Sequence, residues 1–535
     1  MHRSRLIRCL QLALGFLLLP LANIVGPPAT AAAQAPMPTS AEKRPNVVFI
    51  LTDDLDLGVY QQMPRLKSLL VDQGLSFTND FVSLSLCCPS RTAILRSEYA
   101  HNSRIFTNSP PGGGFEKVFS LGLESSTVAT WLHDAGYRTA LMGKYLNGYP
   151  HSAGVSYVPP GWDEWYSPSS GNPYSEFNYT LNENGTQVRY GSDPAAYLVD
   201  VLAGKAQDFI QRSVANNPAQ PFFLYVATYA PHQPATPAPR YADAFPGVQA
   251  PRTPSFNEAD VSDKPAWVQT HPLLNEKQIA GIDHLYQKRL QSMLAVEDLV
   301  ADVIDTLQAN GQLENTYIVF TSDNGFHQGQ HRLESGKNTE FEEDLRVPLV
   351  VRGPGVPAGV SREEMTLNID FAPTFAELGQ TTVPDFVDGR SLVPLLHQPF
   401  VRPAGGPRAR REPASPVPWR QAILIEHAFP GDPTPEPPPG SALEPPDPFD
   451  LAIAAKGGPE MPPVFQGIQT ARQIKYVLYQ DDETEVYDLA HDPYELTNLA
   501  STAGPDVTAE LNAWLNTLKD CSGAACRAAE EAPPH

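Results

Sequence analysis

Four runs of consecutive apolar residues recur along the chain, each bounded by polar or turn-forming residues. Runs of this kind, rich in β-branched residues, are typical of strands that are buried on both faces of a parallel sheet. They are VVFIL from residue 47, PFFLYVATY from 221, TYIVFTSD from 316 and VPLVVRGPG from 347.

Between these runs the apolar positions follow a helical period. Three such segments, residues 63–74, 127–136 and 286–311, each close on a glycine, as many helices do. Alternation of buried strands with helices predicts an α/β fold with a doubly wound, mostly parallel sheet flanked by helices. Ligands of such sheets bind beyond the carboxyl ends of the strands.

Composition divides the rest of the chain. With 535 residues and 41% hydrophobic positions, the chain can bury one large core and a smaller one. We predict a main domain at 44–400, a proline-rich linker at 401–465 containing one strand from Trp419, and a small α+β subdomain at 466–535.

The first 35 residues have the features of a cleaved signal peptide. Arg3, Arg5 and Arg8 precede an apolar segment at 10–21, and Ala33-Gln34-Ala35 provides a cleavage site. The apolar segment is shorter than the ~20 residues that a membrane span requires. We therefore expect a secreted or periplasmic protein without stable membrane insertion, with an uncleaved N-terminal anchor as the alternative.

The formal net charge of −22 becomes about −25 once the signal arginines are removed. Such a surface repels nucleic acid and anionic membranes, so we expect neither as a partner. An anionic substrate would need a local basic pocket. Cysteines are few, and Cys521 and Cys526 are close enough in sequence to form a small disulfide loop, although their spacing alone leaves the bridge open.

Acidic and amide side chains follow two of the predicted strands. Asp53 and Asp54 end the first apolar run, and Asp323 and Asn324 end the third. Each pair alone also fits a helix cap or a turn. Together, hard oxygen ligands at equivalent strand ends indicate a Ca²⁺ or Mg²⁺ site rather than a zinc site.

Cys87 precedes a predicted helix. In LCCPSRTAIL, Pro89 and Ser90 lead into Arg91 and a helical run, which places Cys87 just before the helix N-terminus. Free N–H groups and positive potential at that end favour anionic groups.

The motif C-x-P-S-R at Cys87–Arg91 resembles the signature of type I sulfatases in the alkaline phosphatase superfamily. Further motifs stand in the family's order over most of the chain, and the motif around Lys144 is closest to that of N-acetylglucosamine-6-sulfatase-like members. They are TDD, GKYLNGY from 143, PPGWDEW from 159, APH from 230, SDNG from 322 and SGKNTEFEEDLRVPLVVRGPG from 335.

The resemblance implies that a maturation enzyme oxidises Cys87 to formylglycine. The hydrated aldehyde would present one hydroxyl to the sulfur of a sulfate ester, and its second hydroxyl would release sulfate. Ca²⁺ would be held by this residue with Asp53, Asp54, Asp323 and Asn324.

Four further residues acquire roles from the same resemblance. Arg91 and Lys144 would steady the formylglycine, while His232 and Lys337 would bind the sulfate oxygens. His232 would also protonate the leaving alcohol. The implied activity is hydrolysis of sulfate esters, with a sulfated carbohydrate such as an N-acetylglucosamine 6-sulfate as substrate.

Two positions depart from the common family pattern. Leu146 stands where many members have histidine and is followed by Asn147, which leaves the proton-transfer step open. Arg96-Ser97 replaces a common Thr-Gly and would add a cation if it points inward. Roles for His101, His327 and His331 stay open at this point. 

Two other functions fit the same residues. A phosphonate monoester or phosphodiester hydrolase would use the same nucleophile and metal. A non-catalytic sulfoglycan-binding protein, in which Cys87 is never oxidised, would use only the basic pocket.

Overall fold

The structure, a computed structural model, describes residues 44–397, 419–427 and 462–533. The predicted signal peptide and most of the predicted proline-rich linker lie outside these residues. Where the chain is described, no helix has the length and apolar character needed to cross a membrane.

Strands and helices alternate through the main part of the chain. The strands are β1 (Asn46–Thr52), β2 (Leu75–Phe81), β3 (Arg138–Gly143), β4 (Glu164–Gly171), β5 (Tyr179–Glu183), β6 (Thr186–Arg189), β7 (Phe222–Ala227), β8 (Thr316–Ser322), β9 (His327–Gln328), β10 (Ser335–Gly336), β11 (Arg346–Arg352), β12 (Val360–Arg362), β13 (Thr366–Leu367), β14 (Ala422–His427), β15 (Phe465–Thr470), β16 (Ile474–Tyr479) and β17 (Thr484–Asp488). The helices are α1 (Leu57–Tyr60), α2 (Pro64–Leu69), α3 (Cys87–Arg96), α4 (Ala100–Ser103), α5 (Gly114–Ser120), α6 (Val128–Asp134), α7 (Leu198–Asn216), α8 (Ala266–Gln269), α9 (Glu276–Ala309), α10 (Glu342–Leu345), α11 (Phe371–Leu378), α12 (Val393–His397), α13 (Pro505–Leu518) and α14 (Ala524–Glu531).

An 11-stranded sheet forms the centre of the fold. Its order is β12-β2-β11-β8-β1-β7-β3-β4-β5-β6, with β13 also paired to β2. The central strand β1 runs parallel to both β7 and β8. The prediction of an α/β fold built on a large, mostly parallel sheet is therefore confirmed.

The fourth predicted strand differs from the other three in direction. β11 pairs antiparallel with both β2 and β8, whereas its apolar run predicted a parallel strand. A parallel return needs a crossover connection, usually a helix. The segment between β8 and β11 contains only β9, β10 and the four-residue helix α10, so the chain re-enters the sheet from the end at which it left.

Side chains of β1 alternate between two apolar cores. Val48 and Ile50 belong to the core that includes α7 and α9, while Phe49 faces the other core. There its ring lies 5.5 Å from that of Phe371 and 5.2 Å from that of Phe375 in α11. Full burial of such a side chain contributes about 1.5–3 kcal/mol, so β1 is anchored on both faces before its polar end is reached.

The long helix α9 begins earlier than its apolar period indicated. It starts at Glu276 rather than near Tyr286. The Asn275 side chain accepts hydrogen bonds from the first-turn N–H groups, and the Gln278 side chain accepts one from the Asn275 N–H. This capping box was present in the sequence as Asn-x-x-Gln, outside the apolar pattern.

A separate four-stranded antiparallel sheet lies near the C-terminus, in the order β14-β15-β16-β17. Its edge strand β14 is the strand predicted from Trp419 within the proline-rich stretch. The helices α13 and α14 follow the sheet, and a disulfide joins Cys521 to Cys526 with their Cα atoms 4.9 Å apart.

His101 connects the main domain to this C-terminal region. Its Nδ1 lies 2.9 Å from a carboxylate oxygen of Glu426 in β14, and its Nε2 donates to the carbonyl of Cys521 at 2.8 Å. Burial alone would lower the pKa of His101, but the charge and hydrogen bond of Glu426 raise it to about 9. Both ring nitrogens therefore act as donors, and the charged imidazole is part of the contact.

We expect this contact to make stability depend on pH. Because the pKa of His101 is raised from 6.5 to about 9 by folding, its contribution is complete below pH 6.5 and is lost as the pH rises through 9. His101→Gln should remove up to about 3 kcal/mol of that dependence. Urea unfolding of both proteins between pH 6 and about 9.5 measures it; parallel pH profiles would contradict the assignment.

Candidate active site

The carboxyl ends of β1 and β8 bring the predicted acidic residues together. Thr52 is paired with Ser322 in the parallel register, so Asp53 and Asp323 leave the sheet side by side. Asp53 and Asp54 are fully buried, and the N–H of Asp54 donates to Asp323 Oδ1 at 3.1 Å. Neither Asp53 nor Asp54 is a solvated helix cap, the alternative that the sequence allowed.

The end of β3 delivers a lysine to the same place. Gly143 has a φ of +100°, and a Cβ there would lie 1.8 Å from the carbonyl oxygen of Ala227. Only glycine permits this close approach of the two strand ends. Lys144 follows and is buried, with its Nζ 2.7 Å from Asp53 Oδ2.

Cys87 is the first residue of α3, one position further into the helix than predicted. Its Sγ lies 3.4 Å from Asp53 Oδ1 and 2.8 Å from Lys337 Nζ. One turn later Arg91 donates from Nε to Asp323 Oδ2 at 2.7 Å and from Nη1 to the Lys144 carbonyl at 2.9 Å. Helix α3 thus aims both residues at the strand ends.

Lys337 and His232 complete the group around Asp54. Lys337, just after β10, places Nζ 2.7 Å from Asp54 Oδ1. His232 lies after β7, and its Nε2 is 3.5 Å from Asp54 Oδ2. Because the carbonyl oxygen of Gln233 accepts a hydrogen bond from His232 Nδ1 at 2.6 Å, Nε2 is the nitrogen that faces the acidic group.

The basic side chains of the site stabilise its buried carboxylates in their charged form. Burial would raise the pKa of Asp53, but the charges of Lys144, His232, Arg91 and Lys337 hold it well below its usual range. Burial and the neighbouring Asp53 raise the pKa of Asp323 to about 6. Burial also raises the pKa of the Cys87 thiol well above its ordinary value, so Cys87 as an unmodified thiol is a poor nucleophile.

The acidic groups suit a hard cation. Asp53, Asp54, Cys87 and His232 place one ligand atom each within 4.8 Å of one another. Asp54 Oδ2 and Asn324 Oδ1 are buried without a hydrogen-bond partner, which is costly unless a cation satisfies them.

Two of the predicted ligands have other contacts in the structure. The Asn324 amide donates from Nδ2 to Asp54 Oδ1 at 2.7 Å, so its nitrogen, not its oxygen, lies on the Asp54 side. A half-turn of the amide group would place Oδ1 on that side, where a metal held by Asp54 would lie. Asp323 accepts from Arg91 and from the Asp54 N–H.

An aromatic wall that the sequence did not reveal borders the lysine. Lys144 Nζ lies 5.0 Å from the ring centre of Tyr174 and 5.9 Å from that of Tyr229. Tyr174 also packs against His232, with 4.6 Å between ring centres. A pocket beside these residues is lined by Lys144, Tyr174, Tyr229, Ser167 and Asn147, among others.

Arg289 is a second residue that sequence reasoning missed. It is fully buried in α9, and its guanidinium donates to the Asp54 carbonyl, to Asp56 Oδ2 at 2.7 Å and to the Pro231 carbonyl at 3.3 Å. It therefore joins the loop after β1 to the loop that carries His232. In the sequence, Arg289 looks like any arginine in a helical segment, and nothing near it indicates that its side chain is buried.

The remaining candidate residues have structural partners. Arg96 pairs with Glu98 at 2.6 Å and donates to two backbone carbonyls, so its charge is already paired. His327 contacts both oxygens of Asp344 at 3.0 Å, and His331 contacts Glu258 at 2.8 Å.

A buried cysteine at a helix start thus faces acidic and basic side chains at the ends of parallel strands, an arrangement that suits the binding and cleavage of an anionic ester. The Sulfatase family profile matches residues 45–381, and the chain belongs to this family. It is a sulfuric ester hydrolase.

Known proteins resemble it over most of its length. N-acetylglucosamine-6-sulfatase from Homo sapiens is 35% identical over 499 residues, covering 91% of this chain and 86% of that protein. The solved structure of BT4656 in complex with its substrate D-glucosamine-2-N,6-O-disulfate superposes with a TM-score of 0.67 at 23% identity, covering 89% of this chain and 97% of that one.

The phosphonate monoester hydrolase from Silicibacter pomeroyi superposes with a TM-score of 0.62 at 22% identity, covering 88% of this chain and 93% of that one. At this level of identity the two structural likenesses establish the fold alone.

Removal of Arg91 should destabilise the folded protein strongly. Arg91→Met leaves Asp53 and Asp323 buried without their guanidinium, and breaking such a pair costs about 3–5 kcal/mol. Lys67→Met, which removes an exposed ion pair with Asp72, should cost less than about 1 kcal/mol. Urea unfolding of the two variants compares them, and equal losses would contradict a buried charge cluster.

Proposed function

We propose that the chain is a calcium-dependent sulfatase that removes sulfate from a sulfated carbohydrate through a formylglycine made from Cys87. The observation that carries the proposal is the position of Cys87, which is buried at the first turn of α3 with Lys337 Nζ 2.8 Å from its sulfur. The buried thiol itself is a poor nucleophile, but the aldehyde that a maturation enzyme would make from it can be hydrated and can then attack a sulfate ester next to this cation.

The hydrated aldehyde supplies one hydroxyl that attacks sulfur and a second that releases sulfate. Lys337 pairs with Asp54 and Lys144 pairs with Asp53, and both lysines provide positive charge for the sulfate oxygens. Arg91 keeps Asp323 in place and charged. These cations form the local basic pocket that an acidic protein needs for an anionic substrate.

Proton transfer to the leaving alcohol is assigned to His232. Its Nδ1 is held by the Gln233 carbonyl, which fixes the ring so that Nε2 faces Asp54 and the pocket. Tyr174 packs against the ring, with 4.6 Å between ring centres. Leu146 replaces the histidine common in the family, whereas His232 has a ring nitrogen within 4.8 Å of the Cys87 sulfur and can take this role.

Calcium is the proposed metal, held by Asp53, Asp54, Asp323, Asn324 and the modified Cys87. It supplies charge that draws electrons from the sulfate oxygens. Carboxylate and amide oxygens are the donors that Ca²⁺ prefers. The buried Asp54 Oδ2, which lacks a hydrogen-bond partner, supports this assignment.

A glucosamine 6-sulfate is the proposed substrate group. Support comes from the human N-acetylglucosamine-6-sulfatase, which aligns over 91% of the chain. The pocket lined by Asn147, Ser167 and Tyr174 offers both polar and aromatic surface beside Lys144, as a sugar ring requires. We propose an exported enzyme, secreted or periplasmic, with its catalytic domain at 44–400, its linker at 401–465 and its C-terminal subdomain at 466–535.

Paired cysteine variants test the nucleophile. Produced beside a maturation enzyme, Cys87→Ala should fold normally and lose at least about 10³-fold in kcat on an aryl sulfate and on N-acetylglucosamine 6-sulfate. Cys88→Ala, the adjacent buried thiol, should retain most of the activity. Circular dichroism checks folding, and full activity in Cys87→Ala would refute the assignment.

The same assay distinguishes a sulfatase from a phosphonate monoester hydrolase, the alternative function whose fold is similar. For the wild-type protein produced together with a maturation enzyme, we expect kcat/KM for aryl sulfate to exceed that for aryl phosphonate by at least about tenfold, equivalent to ~1.4 kcal/mol. Faster cleavage of the phosphonate would overturn the sulfatase preference without affecting the role of Cys87.

A further inference from the structure

A second group of ligand-type side chains, two of them fully buried and one half-buried, lies away from Cys87, between the main domain and the C-terminal sheet. It consists of His331, from the turn between β9 and β10, Glu343 in α10, and Glu495, which follows β17. One ligand atom from each lies within 4.8 Å of the others. His331 and Glu495 are fully buried.

The hydrogen bonding of His331 determines what its second nitrogen can do. Glu258 Oε2 lies 2.8 Å from Nδ1 and accepts a hydrogen bond from it, while Phe341 stacks on the ring at 3.9 Å between ring centres. In the neutral ring, Nε2 therefore carries a lone pair. That nitrogen has no hydrogen-bond partner and is directed at two carboxylates.

The two carboxylates differ in how well their oxygens are hydrogen-bonded. Both oxygens of Glu495 have donors, Lys475 Nζ at 2.7 Å and the Glu342 N–H at 2.8 Å. Glu343 Oε2 is buried without a partner, and its other oxygen has only the Ser255 hydroxyl at 3.4 Å. A buried nitrogen lone pair that faces carboxylate oxygens is repelled by them unless something positive lies between them.

We propose that His331 Nε2, Glu343 and Glu495 bind a divalent transition-metal cation, with Zn²⁺ as the best match. One imidazole with two carboxylates is a donor set that zinc accepts, whereas Ca²⁺ takes oxygen ligands. Glu258 then serves as the carboxylate that orients the metal-binding histidine, an arrangement common at zinc sites. Lys475 neutralises part of the negative charge and leaves the cation to balance the rest.

Such a cation would brace the loop that carries Asp323 and Asn324. The Glu343 carbonyl accepts the Phe326 N–H at 2.8 Å, and the Asp344 carbonyl accepts the Gly325 N–H at 2.8 Å. A Cβ on Gly325 would lie 2.1 Å from the Glu343 oxygen, so this contact is close as well as hydrogen-bonded. Holding Glu343 and Glu495 together therefore fixes the loop against the C-terminal region.

Wild-type protein gives the most direct test. After removal of metals with a chelator, crystals soaked in ZnCl₂ should show an anomalous difference peak at the zinc edge between His331 Nε2, Glu343 and Glu495. Elemental analysis after dialysis should find one zinc per chain at this site. An anomalous map with no peak there, or with zinc only beside Cys87 or on the surface, would overturn the proposal. A proton shared between His331 Nε2 and a glutamate oxygen would then be the simpler account of the contact.

A matched pair of variants gives a second readout. Glu343→Gln preserves shape and should lose the zinc equivalent and the increase in Tm that zinc produces in the wild type, while Cys87→Ala should keep both. The exposed control Glu334→Gln should bind zinc as the wild type does. Equal zinc binding by Glu343→Gln and the wild type would refute the site; if Glu343→Gln does not fold, the wild-type anomalous map decides.

Discussion

Three buried carboxylates at the ends of two adjacent parallel strands are the constraint on which the rest of the structure depends. Asp53, Asp54 and Asp323 are each fully buried, and charges of one sign cannot remain together without water unless cations surround them. The strand register makes the cluster unavoidable, because β1 and β8 end at the same level. The cationic side chains of the site balance the negative charge of these carboxylates.

The fold supplies these cations from separate parts of the chain. Helix α3 contributes Arg91, the close approach at Gly143 contributes Lys144, and the turn after β10 contributes Lys337. The same arrangement suits catalysis, because a sulfate ester brings negative charge to a site in which the positive groups are already fixed. The proposed metal would add positive charge at the same carboxylates, so charge balance and function would depend on one set of residues.

Much of this could be predicted from sequence, because strand-end residues and short motifs are local features. The buried runs located Asp53 and Asp323, and the C-x-P-S-R motif located Cys87. The predicted direction of β11 was wrong, because an apolar run carries no information about the connection that precedes the strand. Arg289 and Tyr174 escaped notice because their roles depend on which surfaces pack against the strand ends, which is a long-range property of the fold.

The central claim is that this buried charge cluster exists to hold a modified Cys87. Mass spectrometry of the peptide containing Cys87, from protein made in its native host or beside a maturation enzyme, tests it most directly. The account predicts an aldehyde at Cys87 and an unmodified thiol at Cys88. An unmodified thiol at Cys87, from cells that convert a reference sulfatase, would contradict the mechanism and favour a sulfoglycan-binding protein.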